Sequence, residues 1–249
     1  MEEAMNIDTI YYASWENFKR DFINDIYGTA EAVLGKWLFR GQSSDTWELK
    51  TSFDRKYGSF PNKAAIERTM RDNFVELIKK SCLILNVDSY DVDTLSTVAQ
   101  HYGMPTRLLD WSYSPYVAAF FAYANPAPLN ETYVTVYALQ RSHELWNGHL
   151  GCKIIEDLLQ DNIHQKKQAG IFTLLNHTAS SLEDYINSYT GADHSVPLVI
   201  MRIPKTERQK VIKDLKLMNI TAETLFSGIE SIAWAAESEA QMMLDIVQV

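Results

Sequence analysis

The 249-residue sequence is poor in basic charge, poor in cysteine and without a long apolar run, and each shortage removes a class of function. Its 23 Lys and Arg stand against 32 Asp and Glu, a formal net charge of -9. Nonspecific binding along nucleic acid or an anionic membrane depends on many surface cations and is not expected of such a chain. Cys82 and Cys152 have neither a C-x-x-C spacing nor the density of a secreted scaffold. Both are expected to be small core residues in apolar helical surroundings. No apolar stretch approaches the roughly 20 residues that cross a bilayer, and Met1-Glu2-Glu3 lacks the basic and apolar regions of a leader. The expected compartment is therefore the cytoplasm, with no membrane partner. Zinc-ligand spacing, a P-loop, G-x-G-x-x-G and G-x-S-x-G are all missing. Metalloprotease, NTPase, dinucleotide dehydrogenase and ordinary serine hydrolase chemistry lose their usual support, and no metal site is expected.

What remains is the composition of a globular protein, 46% apolar and 22% charged, with no linker, repeat or low-complexity run. At this length one core is expected, spanning residues 1–249. The charge is uneven: basic residues predominate from Lys36 to Lys80 and again from Arg202 to Lys216, so a basic pocket for a phosphate-bearing ligand fits an acidic chain.

Periodicity predicts a helix from Ser14 with Trp15, Phe18, Phe22, Ile23 and Ile26 inward and Gly28 as its stop. It predicts an amphipathic helix over 62–85, a helix from about Asp93 ended by Gly103 and Pro105, and a wholly apolar helix over 116–124 started by Ser114-Pro115. Further helices are expected over 153–165, 181–189 and 206–217, and a last one from Ser227, where Glu230 completes a capping box. Trp37-Leu38-Phe39 reads as a buried strand that delivers Arg40-Gly41-Gln42 at its end. Residues 132–139, 170–175 and 198–203 are β-branched and aromatic enough for strands. The expected fold class is α/β (α+β), a small central sheet surrounded by many helices.

The densest polar stretch is Gln100-His101-Tyr102-Gly103-Met104-Pro105-Thr106-Arg107-Leu108-Leu109-Asp110-Trp111, where a helix end, a turn and a new helix start converge. Together with Phe39-Arg40-Gly41-Gln42, Gln168-Ala169-Gly170-Ile171-Phe172 and the stretch from Leu225 to Ala233, it resembles the signature blocks of the FRG-domain family, in that family's order from about residue 37 to 233. The sequence departs from the pattern before Gln168, where similar sequences often carry an Arg and this one has Lys166 and Lys167. The resemblance implies a context of bacterial defence or toxin-like effectors.

Each candidate residue carries two readings. Arg40 either anchors a phosphate or carboxylate or pairs with a structural carboxylate such as Asp110, and Gly41 beside it leaves room for a ligand to approach the backbone. His101 is a general acid or base or a helix-end residue. Arg107 and Asp110, three apart, join a site or pin one turn with a salt bridge. Gln168 and Gly170 contact a base or ribose or make a turn. Glu230 stabilises a cationic sugar-like transition state or caps a helix.

Three functions follow. One is a nucleotide-handling, ADP-ribosyltransferase-like enzyme with NAD or another nucleotide as substrate: Arg40 and Gln42 hold it, Tyr102 or Trp111 stacks on its ring, and Glu230 acts on the ribose. The order of Arg40-Gly41, Thr51-Ser52 and Glu230 loosely resembles that superfamily's Arg, Ser and Glu. The second is a noncatalytic module that binds a nucleotide or a protein partner. The third is an RNA- or DNA-cleaving toxin with His101 as base.

Overall fold

The computed structural model describes residues 7–22, 36–81, 87–124, 130–156, 171–226 and 236. Its organising strand is β4, Tyr133–Gln140, whose six interior residues are all buried. A strand with one wet face alternates in polarity; this one does not, so a layer must cover each face. β4 lies inside a four-stranded sheet of order β1-β7-β4-β2, where β1 is Ile7–Tyr11, β2 is Trp37–Gln42 and β7 is Leu198–Pro204. β1 runs parallel to β7 with Ile7 opposite Leu198, and the other pairings are antiparallel.

Val134, Val136 and Ala138 of β4, with Phe39, Val199, Met201 and Ile203, form one core beneath three helices: α1 (Trp15–Phe22), α5 (Pro115–Ala124) and a later basic helix, Arg208–Leu217. The alternate residues Tyr137 and Leu139, with Leu38 and Leu198, turn the other way onto a second sheet. That sheet has the order β3-β6-β5, from Leu108–Trp111, Ile171–Leu175 and Cys152–Glu156. The remaining helices are α2 (Ser52–Tyr57), α3 (Lys63–Lys80), α4 (Val92–His101), α6 (Leu182–Asn187) and α8 (Ala222–Leu225), so Arg208–Leu217 is α7.

Mixed α/β content agrees with the expected class, while the single central sheet is replaced by two that share a core. β1 and β3 escape the sequence reading because each is short. Lys153–Glu156 is strand where a helix was expected, held in register by β6. Cys152 therefore opens a strand instead of a helix, and burial pushes its thiol well above the ordinary cysteine range. The apolar face of α3 is only partly covered: Ile78 is buried, whereas Leu77 is 66% exposed. Gly103 ends α4 in the left-handed region at φ 82°, as a helix stop requires. Cys82, the ends of the helices expected over 14–26 and 153–165, and the last helix from Ser227 lie outside the described residues. Among the described residues no helix is long and apolar enough to cross a membrane.

Candidate functional site

β2 is an edge strand, and its free side shapes the site. Arg141 donates its backbone N–H to Lys36 O at 2.9 Å, so in the antiparallel register residues 38, 40 and 42 exchange hydrogen bonds with β4. Residues 39 and 41 turn their N–H and C=O groups to the open side. Phe39 fills its own through a two-bond bridge to Ser112, at 2.7 and 2.8 Å. Beyond that bridge the chain of Ser112 leaves for α5, and the backbone edge of Gly41 faces a cavity of about 860 Å³.

The cavity walls combine charge with apolar and aromatic surface. Arg40, Lys50 and Arg55 stand against Glu48 and Asp110, three cations to two carboxylates, in a chain whose total runs the other way. Trp47 is 52% exposed on the rim, and Phe121 meets Phe226 edge to face at 5.8 Å. Trp111, Val117 and Ala118 complete the apolar wall. Phe226 and most of the stretch after Gln42 were missed in the sequence; a Trp and two charged residues over 47–50, directly behind the strand, were the available signal.

Arg40 is held by main chain. Its Nη1 donates to Asp110 O at 2.8 Å and lies 3.6 Å from Asp110 Oδ2, and its buried Nε has no hydrogen-bond partner among the described residues. Arg55, whose Nη1 donates to Lys50 O at 2.6 Å, is held below its ordinary pKa first by burial and then by the charge of Arg40, with Asp110 opposing. Two guanidiniums thus crowd one another beside a single nearby carboxylate, an arrangement that an incoming anion relieves.

Gly41 is required by packing. A Cβ there would sit 1.8 Å from Ala118 O, so the glycine admits α5 against β2 and gives the ligand no added room. Gln42 is buried, its Oε1 accepting from Tyr137 Oη at 3.4 Å, and contributes to the cavity floor.

The expected Arg107–Asp110 salt bridge does not form. Asp110 lies in β3 and Arg107 directly precedes that strand, and a spacing of three along an extended chain sends side chains to opposite faces. Arg107 is 4% exposed, 3.8 Å from Asp54, donates to His177 O at 2.6 Å and lies over the Phe53 ring. Asp110 instead accepts from Gln100 Nε2 at 2.7 Å. Arg40 and Asp110 therefore share the cavity, and Arg107 holds α2 in the interior.

Thr51 and Ser52 are also structural. Thr51 Oγ1 accepts the Asp54 N–H and donates to Asp54 Oδ2, capping α2, while Ser52 Oγ bonds both the N–H and the C=O of Thr106. His101 and Tyr102 are exposed at the end of α4, outside the cavity wall. The Ser114 Oγ accepts the Val117 N–H at 3.3 Å, so the first turn of α5 supplies one fewer amide to an anion than an uncapped helix. Gln168, Gly170 and Glu230 lie outside the described residues; Phe226, four residues before Glu230, lines the cavity. No cluster of metal-ligating side chains occurs among the described residues.

Residues 35–131 match the model of the FRG domain. The match covers less than half of the chain, yet every cavity-lining residue except Phe226 falls inside it. No curated protein and no solved structure matches.

Proposed function

Because the chain carries an FRG domain over residues 35–131 that frames the cavity beside β2, we propose that this domain binds a nucleotide there, with Arg40 as the anchor for phosphate. The observation that carries the reading is the Arg40 guanidinium on the cavity wall, fixed to main chain through Nη1 and 3.6 Å from the nearest Asp110 carboxylate oxygen. A guanidinium secured by one carbonyl keeps its charge and its other N–H groups for an oxygen-rich anion in the cavity. Arg55 adds positive charge, while Lys50 is paired with Glu48 at 2.5 Å, and Trp47, Phe121 and Phe226 offer surfaces on which a base stacks. The open N–H and C=O of Gly41 match the adjacent donor and acceptor of an amide edge, as on a carboxamide or a nucleobase.

The substrate of this reading is NAD or a related nucleotide, and the chemistry is ADP-ribosyltransferase-like, with Glu230 acting on the ribose. The bacterial defence or toxin-like context comes from the family resemblance alone. Nothing in the geometry favours cleavage of RNA or DNA through His101, which stands away from the cavity.

Calorimetric titration with NAD and ADP tests the binding step. Micromolar association with the wild type and at least tenfold weakening in Arg40→Ala are expected; absence of binding to the wild type would sink the proposal. Mass spectrometry of NAD and of candidate targets then tests the chemistry. Turnover lost in Glu230→Gln supports the transferase, and binding without any turnover makes the domain a binding module.

A further inference from the structure

We infer that Asp110 reads a sugar hydroxyl beside the bound phosphate, so that the cavity selects ribonucleotides; the inference rests on the nucleotide reading above. Asp110 has three oxygens, and two are committed. Its main-chain O accepts from Arg40 Nη1 at 2.8 Å, and its Oδ1 accepts from Gln100 Nε2 at 2.7 Å. The remaining Oδ2 stands 3.6 Å from Arg40 Nη1, beyond hydrogen-bond length, and the side chain is 63% exposed where it lines the cavity.

A carboxylate that served only as the counterion of Arg40 would accept from two guanidinium N–H groups in a two-pronged pair. Here the Asp110 main-chain oxygen accepts from Nη1 and the carboxylate stands aside. It is also held in place: Gln100 Oε1 accepts from Thr106 Oγ1, and the Thr106 N–H donates to Ser52 Oγ at 3.1 Å, a continuous chain from α4 to α2. Strand geometry excludes any role of this side chain in the core, because Leu109 and Trp111 on either side of it point inward and are buried.

An ionised oxygen in a cavity lined by cations repels phosphate and accepts only from a donor. The chemistry that satisfies Arg40 and Asp110 together is an anion with a hydroxyl a few bonds away, which is a ribose phosphate. A pre-positioned carboxylate accepting from a neutral hydroxyl makes a charge-assisted bond, and losing it corresponds to about ten- to hundredfold in affinity.

The test titrates the full chain with ADP and with 2′,3′-dideoxy-ADP, in wild type, Asp110→Ala and Arg40→Ala, with a thermal melt of each variant to confirm folding. The wild type is expected to prefer ADP by tenfold or more, Asp110→Ala to bring that ratio near one, and Arg40→Ala to weaken both ligands while keeping the ratio. Because the readout is a ratio, a displaced Arg40 that weakens both ligands equally does not imitate the effect. A wild type that binds both analogues equally, or an unchanged preference in Asp110→Ala, overturns the inference while leaving nucleotide binding intact. Failure of the wild type to bind either analogue overturns the nucleotide reading and this inference with it.

Discussion

Arg40 Nη1 and the main-chain oxygen of Asp110 meet at 2.8 Å across 70 residues of sequence, while the ionic approach between the two side chains is longer, at 3.6 Å. A guanidinium secured by a carbonyl keeps its charge available to another anion. That separates Arg40 from Arg107, whose interior partners are Asp54 and a carbonyl.

The two arginines should therefore respond differently to alanine. Arg40→Ala removes a pair whose carboxylate is already largely solvated, so thermal melts should show a loss of about 1 kcal/mol or less. Arg107→Ala leaves Asp54, with 1% of its side chain exposed and Lys63 at 3.0 Å as its remaining ion pair, in the interior. A loss of about 3 to 5 kcal/mol is expected in denaturant titrations. Equal losses in the two variants would contradict the division of roles.

Gly41→Ala should destabilise the chain by about 3 kcal/mol or more, because the new methyl meets the backbone carbonyl of Ala118, and backbone cannot rotate away as a side chain can. The measurement is the midpoint of urea unfolding. A variant as stable as wild type would mean that α5 can lift off β2 at little cost.

His101→Ala is expected to leave ADP affinity unchanged and stability within about 0.5 kcal/mol, as for other exposed positions. Calorimetry and a thermal melt check both. A large loss of nucleotide affinity would return His101 to the site despite its place on the outer surface of α4.

Burial holds the Glu67 carboxyl above its ordinary pKa, against the opposing charges of Arg107 and Arg71. An acid whose folded-state pKa is raised binds protons more tightly folded than unfolded, so it weakens the fold at neutral pH and stops doing so in acid. Glu67→Gln should consequently be more stable than wild type at pH 7. The difference should shrink as pH falls through the raised pKa and vanish below the ordinary value near 4.5. Urea midpoints at a series of pH values give the curve; a difference that grows on acidification would reverse the sign of the argument.

Much of the cavity was legible in the sequence because local pattern and tertiary demand agreed there. Phe39-Arg40-Gly41-Gln42 looks like a strand delivering polar groups, and it is one. The role of Gly41 was not legible, since a glycine needed for the approach of a helix 77 residues away in sequence reads the same as one needed for a ligand. The Arg107–Asp110 pair misled for a related reason. A spacing of three puts side chains together on a helix and apart on a strand, and four residues after a proline are too few to show which period applies. Lys153-Ile154-Ile155-Glu156 has no strong alternation of its own, and its pairing to β6 decides its state.

The pairing of Ile7 with Leu198 fixes an order of events during synthesis. The first strand emerges from the ribosome with no seat, because β7 appears only some 190 residues later, an interval of about 10 to 40 s at roughly 5 to 20 residues per second. Until then the edge of β4 that will take β7 is also open, and both are unsatisfied strands of a nascent chain. Closure of this sheet is a late step joining strands far apart in the chain, and a ribosome stalled before β7 should hold a protein that proteases cut readily.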